Sequence, residues 1–313
     1  MLPYVLKRVL SSVPVMIVVA VVVFAILRLT PGDPAAVLAG NDATGEQLAQ
    51  IRENLGLDEP ILVQLMTWFR NILAGDLGVS LLSGVPVVRM IGERVGPTLS
   101  LAAGTIIVTI LIAIPMGIIA ARRPGGVLDR LVMALSVLGF SVPIFVTGYL
   151  LIYLFALKLG WLPVQGYRPL GDGFWPFAQR LIMPVTALSG VYIALVARIT
   201  RSSIIEVLGE DYIRTARAKG APERRVLLRH ALRNAAVPIV TIIGIGVASL
   251  ITGVVVTESV FNLPGLGRLV VEAVLARDYP VIQGLILLFS FTYILINLVV
   301  DILYTVFDPR IRY

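Results

Sequence analysis

The sequence predicts an all-α integral membrane protein with six transmembrane helices and a helical insertion between the first two. Three observations carry that expectation. Of 313 residues, 58% are apolar and only 14% charged, against about a quarter charged in soluble domains; the mean hydropathy is +0.92. The apolar residues gather into uncharged runs of the ~20 residues that cross hydrocarbon. Lys and Arg are then spread unevenly between the loops that join those runs.

The first run, Val9–Leu27, is nineteen residues long and follows Lys7 and Arg8. It exceeds the ~7–15 residues of a signal-peptide core and reads as a retained anchor. Leu99–Ala121, Leu131–Leu157, Ala235–Thr257 and Val281–Val300 are comparably clear, and Leu181–Ala197 is shorter. Six spans put both termini on one side. On that side the termini and the loops 122–130 and 198–234 hold sixteen Lys and Arg, against nine in the longer opposite loops. The excess makes this side cytoplasmic. The chain divides into 1–29, the N-terminus and first span; 30–98, an extracytoplasmic loop with short helices; and 99–313, the remaining five spans with the 198–234 loop.

Within 30–98, Thr44-Gly-Glu-Gln47 has capping-box form, Leu48, Ile51 and Leu55 follow at helical spacing, and Gly56 sits where a helix stops. Leu62, Leu65, Met66, Phe69, Ile72 and Leu73 line a second helix before Gly75. The pair reads as a cap packed on the bundle or as a docking surface for an outside partner. Trp161, Tyr167, Phe174 and Trp175 form an interfacial aromatic belt.

Composition excludes several functions. With no cysteine and a single histidine, His230, the chain has no disulfide, thiolate nucleophile or multi-histidine metal site. It has no His-Glu-x-x-His and no Gly-Lys dipeptide, hence no phosphate-binding loop of its own. An intramembrane enzyme lacks a catalytic constellation. An autonomous ion-coupled carrier or channel lacks midplane charges, since Arg28 and Asp301 fall at helix ends. The pairs Pro115-Met-Gly117 and Gly139-Phe-Ser-Val-Pro143 either allow close packing or shape a cavity. Position, polarity and local kinks make Phe140, Ser141, Thr252 and Glu258 candidate pathway residues.

The most informative loop is 198–234. Up to Lys219 it favours helix; Gly220-Ala-Pro222 then breaks it, with Pro222 and Glu223 suited to a new helix start. In the second helix Arg225, Arg229 and Arg233 make a basic stripe beside an apolar one of Leu228 and Leu232. Such a helix-turn-helix is either a lipid anchor or a rigid peg for a partner, its small residues Ala216, Ala218 and Gly220 permitting close approach.

This stretch resembles the cytoplasmic signature of binding-protein-dependent ABC importer permeases: Glu-Ala-Ala, three residues, Gly, then a hydrophobic-Pro ending. Arg214-Thr-Ala216 stands in the first places and Gly220 in the glycine place; Arg233 stands where proline is common. Tyr-x-Arg-Thr-Ala-Arg-Ala-Lys-Gly is the form typical of the peptide and nickel branch. Leu29-Thr-Pro-Gly-Asp-Pro34, Leu55-Gly-Leu-Asp-Glu-Pro60, Glu258-Ser-Val-Phe-Asn-Leu-Pro-Gly-Leu-Gly267, Arg277-Asp-Tyr-Pro-Val-Ile-Gln283, Asn297–Tyr304 and Asp308-Pro-Arg-Ile-Arg312 resemble the first of the two permeases of that branch.

The resemblance implies a type I ABC importer permease fold in a bacterial or archaeal cytoplasmic membrane, forming half of a pathway for peptides or a related small solute. It implies a homologous second permease, two ATPases that carry ATP and Mg, and an extracytoplasmic binding protein. It also implies no cofactor or metal bound by this chain, no catalysis and no nucleic acid. Ile213, Arg214, Thr215, Ala216, Arg217, Ala218, Lys219, Gly220, Ala221 and Pro222 would carry the coupling helix that sits in an ATPase groove.

Overall fold

The computed structural model describes residues 2–29, 35, 44–54 and 56–307. The motif at 30–34, Leu55, and the closing Asp308–Arg312 lie outside the described residues, as do the side chains of Arg28 and Ile51. Among the described residues five helices are long and apolar enough to cross a membrane, six when one sharply bent pair is taken as a single span. Among the described residues the one β pairing is an isolated bridge between Val79 and Pro86.

Two compact units are present, one of 1–96 with 268–294 and one of 97–267 with 295–313. Within the first, α1 (Leu2–Leu29) is the first span. Next, α2 (Gly45–Asn54) opens with the expected reciprocal cap: the Thr44 N–H donates to Gln47 Oε1 at 2.9 Å and the Gln47 N–H to Thr44 Oγ1 at 3.3 Å. It closes where Gly56 turns to φ +62°. After it, α3 (Ile61–Leu73) sets Trp68 against Phe24 of α1, the rings tilted at 46° with centroids 5.6 Å apart. Met66 and Leu73 stay 71% and 86% exposed, so a large apolar part of α3 has no partner among the described residues.

The second span belongs to α4 (Val87–Arg122), which begins twelve residues before the uncharged run at Leu99. Charge ended the run but not the helix: Arg89 pairs with Glu93 one turn on at 2.9 Å, and Arg94 reaches Glu272 at 2.8 Å. The same unit holds a buried anchor, Asp278, which accepts from the Ser80 hydroxyl at 2.5 Å and the Leu81 N–H at 3.1 Å. It immediately precedes the last span, α13 (Tyr279–Phe307), which follows the short α12 (Leu266–Leu275).

In the second unit the third apolar run is two helices, α5 (Val127–Ser141) and α6 (Ile144–Leu151), the latter continued by π turns over Ile152–Lys158. They bend by 99° at Val142-Pro143, because proline offers no N–H and its ring excludes the preceding carbonyls. The fourth span, α7 (Phe174–Leu208), overshoots the run Leu181–Ala197 at both ends, and α11 (Ala236–Val260) is the fifth. The core around Leu101, Leu188, Tyr192, Leu250 and Phe261 joins these helices. Small residues let them touch: a β-carbon at Gly117 would lie 2.6 Å from Thr200 Cβ, and one at Gly139 3.0 Å from the Gly190 carbonyl. Close backbone approach of this kind replaces the hydrophobic effect inside a bilayer. Of the aromatic belt, Trp161, Phe174 and Trp175 are exposed, whereas Tyr167 meets the Ser100 hydroxyl at 3.1 Å.

Candidate functional site

Of the 198–234 segment, 198–208 continue α7 and 211–234 fold as two short helices around a tight turn. The first, α8 (Asp211–Ala218), has Asp211 in its first turn and Arg217 in its last, both favourable to the helix dipole. Ile213 is wholly buried and fixes the helix to the bundle, while Arg214, paired with Asp211, is 74% exposed. Gly220 then adopts φ +80°. Its N–H bonds to the Arg217 carbonyl at 2.9 Å and the Ala221 N–H to that of Ala216 at 3.1 Å, a Schellman stop. Across the turn Arg217 forks onto Glu223, at 3.2 and 2.9 Å, which joins the two helices and raises the guanidinium pKa.

The second helix runs from α9 (Glu223–Arg225) through π turns over Val226–Ala231 to α10 (Leu232–Asn234). Arg225, Arg229 and Arg233 are all exposed, as their stripe predicts. Against the bundle the helix buries Val226, Leu227, Ala231 and Ala235, with Leu232 partly buried on the same core, while Leu228 is 46% exposed. A π turn spaces equivalent positions five apart, so Val226 and Ala231 share a face and Leu228 rotates outward.

Between the helices Tyr212, Thr215, Ala216, Lys219, Gly220, Ala221, Arg225 and His230 line an open groove of about 470 Å³. Burial, with the Glu210 carboxylate adding to it, pushes the Tyr212 phenol up, against the pull of a hydrogen bond to Asn234. The phenol is therefore a neutral donor at physiological pH. With cations at Lys219 and Arg225, a neutral hydroxyl and a small-residue floor, the groove suits a protein surface carrying carboxylates and backbone carbonyls.

The pathway candidates are not gathered into one site. Phe140 and Ser141 share a groove of about 240 Å³ at the bend with Met133, Ser136, Val137 and Arg198, and the Arg198 guanidinium lies 5.3 Å from the Phe140 ring centre. Thr252 is exposed on α11. Glu258 is wholly buried: its Oε1 accepts from the Thr98 hydroxyl at 2.6 Å, and Thr98 Oγ1 in turn accepts from the Leu266 N–H at 2.8 Å. A β-carbon on Gly265 would overlap that carboxyl group. Glu258 thus ties the end of α11 to the second span, a role its position at the end of a run did not disclose.

Sequence reasoning also passed over Asp129, which is 5% exposed and forks onto Arg201 of α7 while accepting from the Gly125 N–H at 2.7 Å. One signal was available: Asp129 is the only acid in the 122–130 loop.

Two family descriptions match this chain: the N-terminal region of the binding-protein-dependent transport system membrane component over residues 1–102, and the binding-protein-dependent transport system inner membrane component over 113–313. The chain belongs to this family. It is 52% identical over 310 residues to the probable peptide ABC transporter permease protein y4tP of Sinorhizobium fredii, covering 99% of each chain. It is 47% identical over 313 residues to the glutathione transport system permease protein GsiC of Salmonella paratyphi A, covering 100% of each. A solved chain of the inward-facing MetNI methionine ABC transporter shares the permease's fold, with TM-score 0.59 and 19% identity over 71% of this chain and 97% of that one. The permease is therefore an all-helical translocation subunit of the type I ABC importer fold, a transport component and not an enzyme.

Proposed function

We propose that the permease forms half of an ATP-driven import pathway for peptides or a related small peptidic solute, and that residues 210–222 couple it to an ATPase. The single observation that carries the coupling assignment is the capped, ion-pair-braced α8 with its open groove over Gly220. The solute class rests on full-length relatives named for peptide and glutathione transport. In this reading a homologous second permease completes the pathway, two ATPases bind ATP and Mg, an extracytoplasmic binding protein delivers the solute, and both termini are cytoplasmic. Closure of the ATPases would draw the coupling helices together and shift the pathway outward, through contacts that differ between the two states.

The test is a mild-detergent pull-down of the tagged chain with mass spectrometry and an ATPase assay. Recovery of a second permease and two ATPase chains with hydrolysis is the expected result; a chain that purifies and transports alone overturns the reading. The topology has its own check. A tag within 44–54 should be labelled from outside intact cells and one beside Arg224 only after permeabilisation. The reverse pattern inverts the orientation.

A further inference from the structure

A second groove, of about 300 Å³, lies between the end of α4 and the start of the helix after Gly220, lined by Ile118, Ile119, Arg122, Glu223, Arg224, Leu227 and Leu228. Its chemistry is divided. Four of its residues are aliphatic, with Ile119 and Leu228 about half exposed; Ile118 and Ile119 belong to α4, which contains an 18-residue stretch of mean hydropathy 2.4, that of a membrane span. Its rim is cationic: among the described residues neither Arg122 nor Arg224 meets a carboxylate. The nearby acids are already committed, Glu223 to Arg217 and Asp129 to Arg201. Beside the groove α5 starts with Val127 and Leu128, which are 75% and 60% exposed.

We propose that this groove binds an anionic phospholipid, its phosphate between Arg122 and Arg224 and its acyl chains along Ile119 and Leu228. Arginines at a span end reach the headgroup layer while their stems stay on apolar surface. A basic pocket between helices at that depth matches an acidic headgroup. A free phosphate would gain nothing from the aliphatic lining, and so much exposed aliphatic surface at the end of a span is covered by acyl chains where it would be costly in water.

The experiment is native mass spectrometry of the detergent-purified complex titrated with phosphatidylglycerol, with phosphatidylcholine of the same chains, or with inorganic phosphate. The unmodified chain should hold one phosphatidylglycerol that excess phosphatidylcholine or phosphate does not displace. Arg122→Gln with Arg224→Gln should weaken it about thirtyfold, at roughly fivefold for each basic residue near an anionic headgroup. Arg122→Lys with Arg224→Lys should retain most binding, and Arg229→Gln with Arg233→Gln, outside the groove, should retain all of it. Equal retention of the two lipids, competition by phosphate alone, or equal loss in both glutamine variants overturns the proposal. Unchanged lipid binding with loss of an associated protein chain from the Arg122→Gln, Arg224→Gln variant also overturns it, and assigns the groove to that protein.

Discussion

Replacing Gly220 by leucine is expected to abolish solute uptake and ATPase co-purification while leaving membrane insertion unchanged. Two effects combine there and can be separated. The residue sits at φ +80°, which costs an ordinary L-residue about 1–2 kcal/mol. Asparagine tolerates that region, so Gly220→Asn carries little strain. A β-carbon at this position meets nothing within 4 Å, so the first atom of a side chain clashes with no part of the fold. It projects instead into the open groove, where a docked partner would be. Leucine should therefore fail completely, asparagine should keep part of the activity, and alanine should fall between wild type and leucine. Normal uptake and docking in the leucine variant would remove 210–222 from the coupling role.

The second large effect concerns stability. Arg201→Ala should lower the unfolding free energy by about 3–5 kcal/mol, the range for breaking one partner of a buried ion pair. The reason is what remains: Asp129, at 5% side-chain exposure, would keep one N–H donor and lose its fork. Replacing both residues, Asp129→Leu with Arg201→Met, should recover all but about 1 kcal/mol, the lost hydrogen bond from Gly125. Thermal unfolding of the unmodified chain, the single variant and the double variant in one detergent measures both differences. A single variant no less stable than the double would show that the pair is incidental to the fold.

These two sites also mark what the sequence makes legible. The Gly220 turn was readable because a helix stop needs only local chemistry: small residues, a glycine with positive φ and a following proline. The Thr44–Gln47 cap was readable for the same reason, as were the spans, whose signal is length and lack of charge. Long-range pairing left no such trace. Thr98 and Glu258 lie 160 positions apart and Arg94 and Glu272 lie 178 apart, and their side-chain types alone do not name the partner. Helix irregularity escaped too. Nothing in Val226–Ala231 distinguishes a π turn from an α turn, so which apolar residues of that helix turn to the bundle, Val226, Leu227 and Ala231, was not legible in the sequence. At Val142-Pro143 the proline signalled a kink, but its angle of 99° depends on how α7 and α11 receive the two halves.

That bend decides which solvent this part of the chain can tolerate. Pro143 stands four residues after Gly139 and has no hydrogen to give its carbonyl, and regular helix resumes only at Ile144. Hydrocarbon has no donor to offer in its place, so this backbone needs protein or water beside it. Protein is what lies there: a β-carbon at Gly139 would meet the Gly190 carbonyl and the Ala194 side chain of α7 at about 3 Å, so the break is sheltered by a neighbouring helix rather than left to lipid.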